Sequence, residues 1–196
     1  TSLPDPSAWL GEAVESLSER PNLVVLEIAA ALRTELLRQA EHCAQLVDTL
    51  QACDPVGHCY AAWIGEYSSL LKEWHAVLAA VNESDDSDGL TRFDLVRRRI
   101  AEFDFARKQG PKLSKDIDPG IRAARDAASD LYSKQVKERL FKKRLRNRFA
   151  LFTMEEWISG LRQTAPYVAT MVDVVAAFQD AYARRKRRLN VLDFAD

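Results

Sequence analysis

The residues of this chain best equipped for chemistry are two dense runs of cations and a scatter of histidines and cysteines. Between Lys134 and Arg148 lie eight cations (Lys134, Lys137, Arg139, Lys142, Lys143, Arg144, Arg146 and Arg148) and one acid, Glu138. Cations in successive helical turns can track a phosphate backbone, whose contacts dominate sequence-independent affinity for nucleic acid. Phe141 and Phe149 interleave with them, although Phe141 equally suits a core. The same run also fits a solvated helix face with cations favourably placed near its C-terminus. The second run, Arg184, Arg185, Lys186, Arg187 and Arg188, ends a helix. There the cations complement the helix dipole, point in several directions around the axis, and match a nuclear-localisation patch as well. Spacing alone leaves these readings open.

His42, Cys43, Cys53, His58 and Cys59 offer ring nitrogens and thiols suited to a metal, but the close Cys-x-x-Cys pairs of structural zinc sites are missing. Cys43 falls on the apolar stripe of its helix, where a free cysteine is an ordinary core residue. No metal site is expected. His75, beside Trp74, reads as a surface or packing residue. The paired acids Glu155-Glu156 and Asp85-Asp86 are accounted for by a helix cap and a polar loop. None of the seven glycines sits in a GxxxxGK[ST] or GxGxxG arrangement, and neither a nucleophile elbow nor HExxH occurs. No catalytic residue and no bound cofactor is expected in this stretch by itself.

Length and composition bound the rest. The 196 residues, 47% hydrophobic and 29% charged, suffice for a substantial core. No apolar run approaches the ~18 residues of a membrane span, so no membrane is expected as a partner. Three cysteines argue against a disulfide framework and for a reducing, cytoplasmic setting. The net charge of −1 conceals an asymmetry: residues 1–89 carry four cations against 15 acids, and residues 90–196 carry 24 against 14. Such a split suggests that one half faces a polyanion.

The elements that must hold these residues read as all-α. Asp5-Pro6 opens a first helix that ends before Pro21 and carries Trp9, Leu10, Ala13, Val14 and Leu17 on one side. Leu23 to Cys53 contains neither Gly nor Pro and predicts a helix of about 46 Å. After an Asp54-Pro55-Val56-Gly57 turn, Tyr60, Trp63, Tyr67, Leu70, Trp74, Val77 and Val81 form the seam of a helix over 58–81. This predicts a long antiparallel hairpin. Asn82 to Gly89 is a polar loop and the expected boundary between the acidic and basic parts. A helix over 91–108, a basic break over 109–116, and a helix from Asp118-Pro119 to about Arg148 follow. Thr153 and Glu156 form a capping box for a helix to about Gln163. Pro166 then starts the last helix, with Val168, Met171, Val175, Phe178 and Tyr182 as its buried stripe. Leu189 to Leu192 is the one stretch with strand character.

Two end segments resemble a known family. VVAAFQDAYARRKRRLNVLDFAD, Val174 to Asp196, resembles the aromatic helix, basic cluster and LDF-x-D-L that precede the Walker B motif in superfamily 1 helicases of the UvrD/RecB type. PDPSAWL, Pro4 to Leu10, resembles the Pro-x-Pro-x-x-Trp-Leu that opens a helical insertion in the large subunit of bacterial ATP-dependent helicase/nucleases, the AddA type. About 30 residues carry the likeness directly. It implies a helical 1B-type insertion over 1–188, with an acidic hairpin part (1–89) and a basic part (90–188), and a return into the motor core over 189–196. Asp193, Phe194 and Asp196 match the Asp-Phe-x-Asp positions and are expected to position that core. A start without Met and a stop inside Asp-Phe-Ala-Asp fit an excised segment. The resemblance further implies a parent hydrolase, an ATP- and Mg-dependent DNA helicase and exonuclease serving double-strand break processing and recombinational repair. Its expected partners are duplex or forked DNA, the rest of the motor and a second helicase/nuclease subunit. The alternative is a helical scaffold or protein-interaction module without direct DNA binding.

Overall fold

The computed structural model describes residues 6–52, 56–80, 86–114 and 117–189. Among these residues every regular element is helical, and the fold is all-α. The helices are α1 (Pro6–Glu19), α2 (Pro21–Gln51), α3 (Gly57–Ala79), α4 (Asp86–Glu102) and α5 (Pro119–Asp130). A π-helical segment (Leu131–Arg146) continues α5, and α6 (Asn147–Phe149) and α7 (Met154–Leu189) follow. The chain divides into two compact units. One spans Leu26–Thr153, and the other joins the chain up to Val25 with that from Met154 onward.

In the larger unit, α2 and α3 are joined by buried polar contacts. Ser68 Oγ donates to the Ala40 carbonyl at 3.1 Å, and the Tyr67 hydroxyl donates to Gln39 Oε1 at 3.1 Å. Both pairs are nearly equidistant from the connecting turn, as the expected antiparallel hairpin requires. The buried side of α3 is wider than its seam. Tyr60, Tyr67 and Trp74 are buried, but so is the neighbouring stripe Ala61, Ile64, Ser68, Leu71 and Leu78, while Trp63, Leu70 and Val77 are only half-buried. A helix covered by more than one neighbour buries more than one seam.

Three boundaries differ from the sequence reading. Helix α4 begins at Asp86, inside the predicted loop, and an i to i+4 ion pair from Arg92 to Asp88 at 2.7 Å supports its first turns. It ends at Glu102 rather than Lys108, because Phe103 and Phe105 both enter an aromatic cluster with Tyr67 and Phe141. Residues two apart share a side only in extended chain, whereas a helix would separate them by ~200°. Farther along that segment, Gly110 lies so close to the Tyr60 hydroxyl that any Cβ there would overlap it. The Asp-Pro signal at the next helix holds: Asp118 accepts from the backbone N–H of Gly120 at 2.7 Å and of Ile121 at 3.4 Å.

The third difference is Pro166, which lies inside the 36-residue α7 instead of starting a helix. The residues sheltered along α7 (Ile158, Leu161, Ala165, Val168, Val172 and Ala176) keep helical register across the proline. Packing against α1 offsets the one hydrogen bond that Pro cannot make. Of the predicted stripe, only Val168 belongs to this one. Met171, Val175, Phe178 and Tyr182 are exposed, with Phe178 at 69%. At 1.5 Å per residue α7 is about 54 Å long and α1 only about 21 Å, so α1 can cover one side of part of α7. The predicted strand 189–192 lies outside the described residues beyond Leu189, as do Asp5, Cys53 to Pro55 and Val81.

Gln39 is fully buried, and its amide donates to Glu35 Oε1 at 2.7 Å and to the Leu140 carbonyl at 3.1 Å. Removing its hydroxyl donor by Tyr67→Phe leaves Gln39 Oε1 unpaired in the core. We expect a loss of about 1–2 kcal/mol, read as a lower urea midpoint at unchanged m-value.

Candidate nucleic-acid interface

The π-helical segment carries the first cation run except Arg148, which lies in α6, and its winding decides which cations share a face. Its buried residues are Tyr132, Val136, Leu140, Phe141 and Leu145, recurring every four to five positions. That interval fits a π-helix, which bonds i to i+5 and makes a turn in about 4.4 residues. An α-helix would have to expose some of them. The carbonyl of Leu140 in this segment is the one that accepts from Gln39 on α2.

The eight cations separate into three groups. Two are drawn into the core. Arg146 donates to the Phe103 carbonyl and stacks 4.8 Å from the Phe141 ring centre, and Lys137 lies 4.7 Å from the ring centre of Tyr132 and 5.1 Å from that of Phe105. Two form exposed i to i+4 ion pairs: Lys134 with Asp130 at 2.7 Å, and Lys142 with Glu138 at 3.3 Å. Such pairs contribute ~0.2–1 kcal/mol and yield readily to a competing anion. Arg139, Lys143, Arg144 and Arg148 are exposed, and none has a carboxylate within ion-pairing distance among the described residues. The Arg148 guanidinium lies 5.1 Å from the Phe149 ring centre.

Arg139 and Arg144, with Gln135, line one wall of an open cleft of about 170 Å³, whose other wall is Arg38 and His42 on α2. Arg38 is gripped by Glu35, with Nε 3.0 Å from Oε2 and Nη2 2.6 Å from Oε1. Burial pushes the Glu35 carboxyl up, but hydrogen bonds from Arg38 and Gln39 and the nearby charges of Arg38 and Arg144 outweigh it and hold it below the ordinary value. Sequence reading missed Arg38, which sits in the acidic half, and set His42 among metal candidates. The signal that could have found the cleft is the four-to-five spacing of apolar residues after Leu131.

A second cleft of similar size is aromatic, lined by Trp63, Tyr67, Phe103, Phe105 and Tyr132. Glu66 and Asp104 share its lining, and its cation Lys108 is paired with Glu66, so it does not favour phosphate. No group of three or more metal-ligating side chains occurs among the described residues. Nor is any described helix long and apolar enough to cross a membrane.

The second cation run belongs to the other compact unit. Arg184, Arg185, Arg187 and Arg188 are exposed, Lys186 is half-buried, and Arg187 Nε donates to the Ala183 carbonyl at 3.3 Å. Asp193, Phe194 and Asp196 lie outside the described residues.

Comparison with known proteins gives a distant homology. The chain is 24% identical over 199 aligned residues, 98% of its length, to an ATP-dependent helicase/nuclease subunit of Oceanobacillus iheyensis. It is 30% identical over 104 residues, 53% of its length, to proteins of the same name in Lacticaseibacillus casei and Lacticaseibacillus paracasei. The aligned portions cover 14% of the first relative and 8% of each of the others. No protein-family model matches the chain. No solved structure matches it either.

Two measurements check the local chemistry. Burial pushes the Cys43 thiol up to about 12, so iodoacetamide at neutral pH should leave it unmodified in the native protein and label it only after unfolding, by peptide mass mapping. The lowered value of Glu35 gives a stabilisation that is fully present above pH 4.5 and lost as pH falls through the folded value. Glu35→Gln should flatten the acid limb of a plot of urea midpoint against pH.

Proposed function

We propose that this chain is a DNA-contacting helical segment of an ATP-dependent DNA helicase/nuclease, equivalent to a 1B-type insertion of its motor. It holds duplex or forked DNA near the point of strand separation through backbone contacts, in double-strand break processing and recombinational repair. The observation that carries this reading is the set of exposed cations on the π-helical segment: Arg139, Lys143 and Arg144, without ion pairs among the described residues, and Lys142 in a weak one. The similarity, over nearly the whole of this chain, to part of a helicase/nuclease subunit supports it. In this reading ATP and Mg act in other parts of the parent protein. The partners are the rest of the motor and a second helicase/nuclease subunit; the setting is cytoplasmic.

A protein-interaction module is the second reading, favoured by the exposed apolar side of α7, including Met171, Phe178 and Tyr182. Titration with a forked duplex at two salt concentrations separates the two. DNA contact predicts measurable affinity at low salt that falls with a log–log slope of about −3 to −5, as expected for several released counterions. The double variant Lys142→Glu, Lys143→Glu should weaken binding at least about tenfold with an unchanged circular dichroism melt. Salt-indifferent or absent DNA binding, with self-association in light scattering, would favour the second reading.

A further inference from the structure

A phosphate clamp needs guanidinium groups held in fixed geometry on more than one side of a space that a phosphodiester can enter. The cleft between α2 and the π-helical segment places guanidinium groups on two sides, with Arg38, held by Glu35, on one wall and Arg139 and Arg144 on the other. Guanidinium forks match the oxygens of a phosphate in pairs, which an ammonium cannot do. Glu35 adjoins it through Arg38, and that carboxylate is already occupied by Arg38 and Gln39. The guanidinium charges therefore outnumber it three to one at this place, although Arg38 belongs to the acidic half of the sequence.

The winding of the chain makes the site. Arg139 and Arg144 are five residues apart, which on an α-helix would set them about 140° apart around the axis. On a π-helix the same spacing separates them by about 50°, so both reach one cleft. The wall they form is fixed against the opposite one by the buried bond from the Gln39 amide to the Leu140 carbonyl, which lies between them in sequence. Two cations of the run that an α-helix would point apart are thus brought to one cleft.

We infer that Arg38, Arg139 and Arg144 clamp a single backbone phosphate of DNA, with the Gln135 amide and the His42 ring at the rim. This rests on the DNA-contact reading above and assigns that contact a defined subsite. A clamp differs from diffuse attraction in its demand for guanidinium geometry, and Arg-to-Lys exchange isolates that demand because the charge is kept.

The test measures affinity of the full chain for a fluorescein-labelled forked duplex across a salt series, for wild type, Arg139→Lys, Arg144→Lys, Arg144→Ala and Arg38→Lys. A clamp predicts that each Lys variant loses about fivefold or more at an unchanged salt slope. Arg144→Ala should lose about tenfold, with the slope reduced by about one unit. Lys variants that bind as wild type does would overturn the clamp and leave the DNA-contact reading standing. If wild type binds no DNA, that reading falls, and so does the assignment to a DNA phosphate. Titration with inorganic phosphate, followed through the arginine Nε–H resonances, then decides the rest. Saturable shifts that Arg144→Lys weakens would retain an anion site of another source, and no shifts would remove the site altogether.

Discussion

One buried amide sets the geometry on which the larger unit depends. Gln39 reaches three elements at once, accepting from Tyr67 on α3, donating to the Leu140 carbonyl of the π-helical segment and to Glu35 on its own helix. An apolar residue in its place could fill the volume but could not fix a register, since hydrophobic contact has no direction. A buried polar group left without partners costs ~1–3 kcal/mol, so sliding either neighbour along α2 is penalised at this one point. The heights of Arg38, Arg139 and Arg144 relative to one another follow from that restraint.

Around this point the aromatic cluster and the charge distribution divide the work. Phe103 and Phe105 close the space between α3 and the π-helical segment in extended chain, and Arg146 and Lys137 lay their cationic heads on the rings that line it. Such contacts draw basic residues inward that a count of charges would have assigned to solvent. On the opposite flank Arg97 is buried, bound to Asp94 at 2.9 Å and to the Phe152 carbonyl at 3.0 Å, which fastens α4 to the chain that follows α6. Positive charge in this protein thus serves both as internal mortar and as a surface.

Helix existence was legible because apolar residues recur at three- and four-residue steps and because Asp118-Pro119 carries its own cap. The limits of that reading have physical causes. Pro166 looked like a start because local rules see the missing N–H and not the packing against α1 that outweighs it. Residues 103–108 looked helical until the aromatic cluster, a tertiary feature, drew Phe103 and Phe105 to one side. The stripe chosen on α7 had correct periodicity, but a helix apolar over more than half its circumference does not announce which side meets its neighbour. The cleft was least legible of all: Arg38 and Arg144 lie far apart in sequence and on opposite sides of the charge boundary, and the π winding that joins Arg144 to Arg139 breaks the period used to read helices.

The uncovered side of α7 has a thermodynamic consequence. Tyr167, Met171, Val174, Phe178 and Tyr182 stand exposed within one arc of the helix. A surface that binds this arc adds its own free energy to the folded helix through mass action, in proportion to the logarithm of its free concentration. The melting temperature of α7 is therefore a property of its surroundings, and it would rise with occupancy.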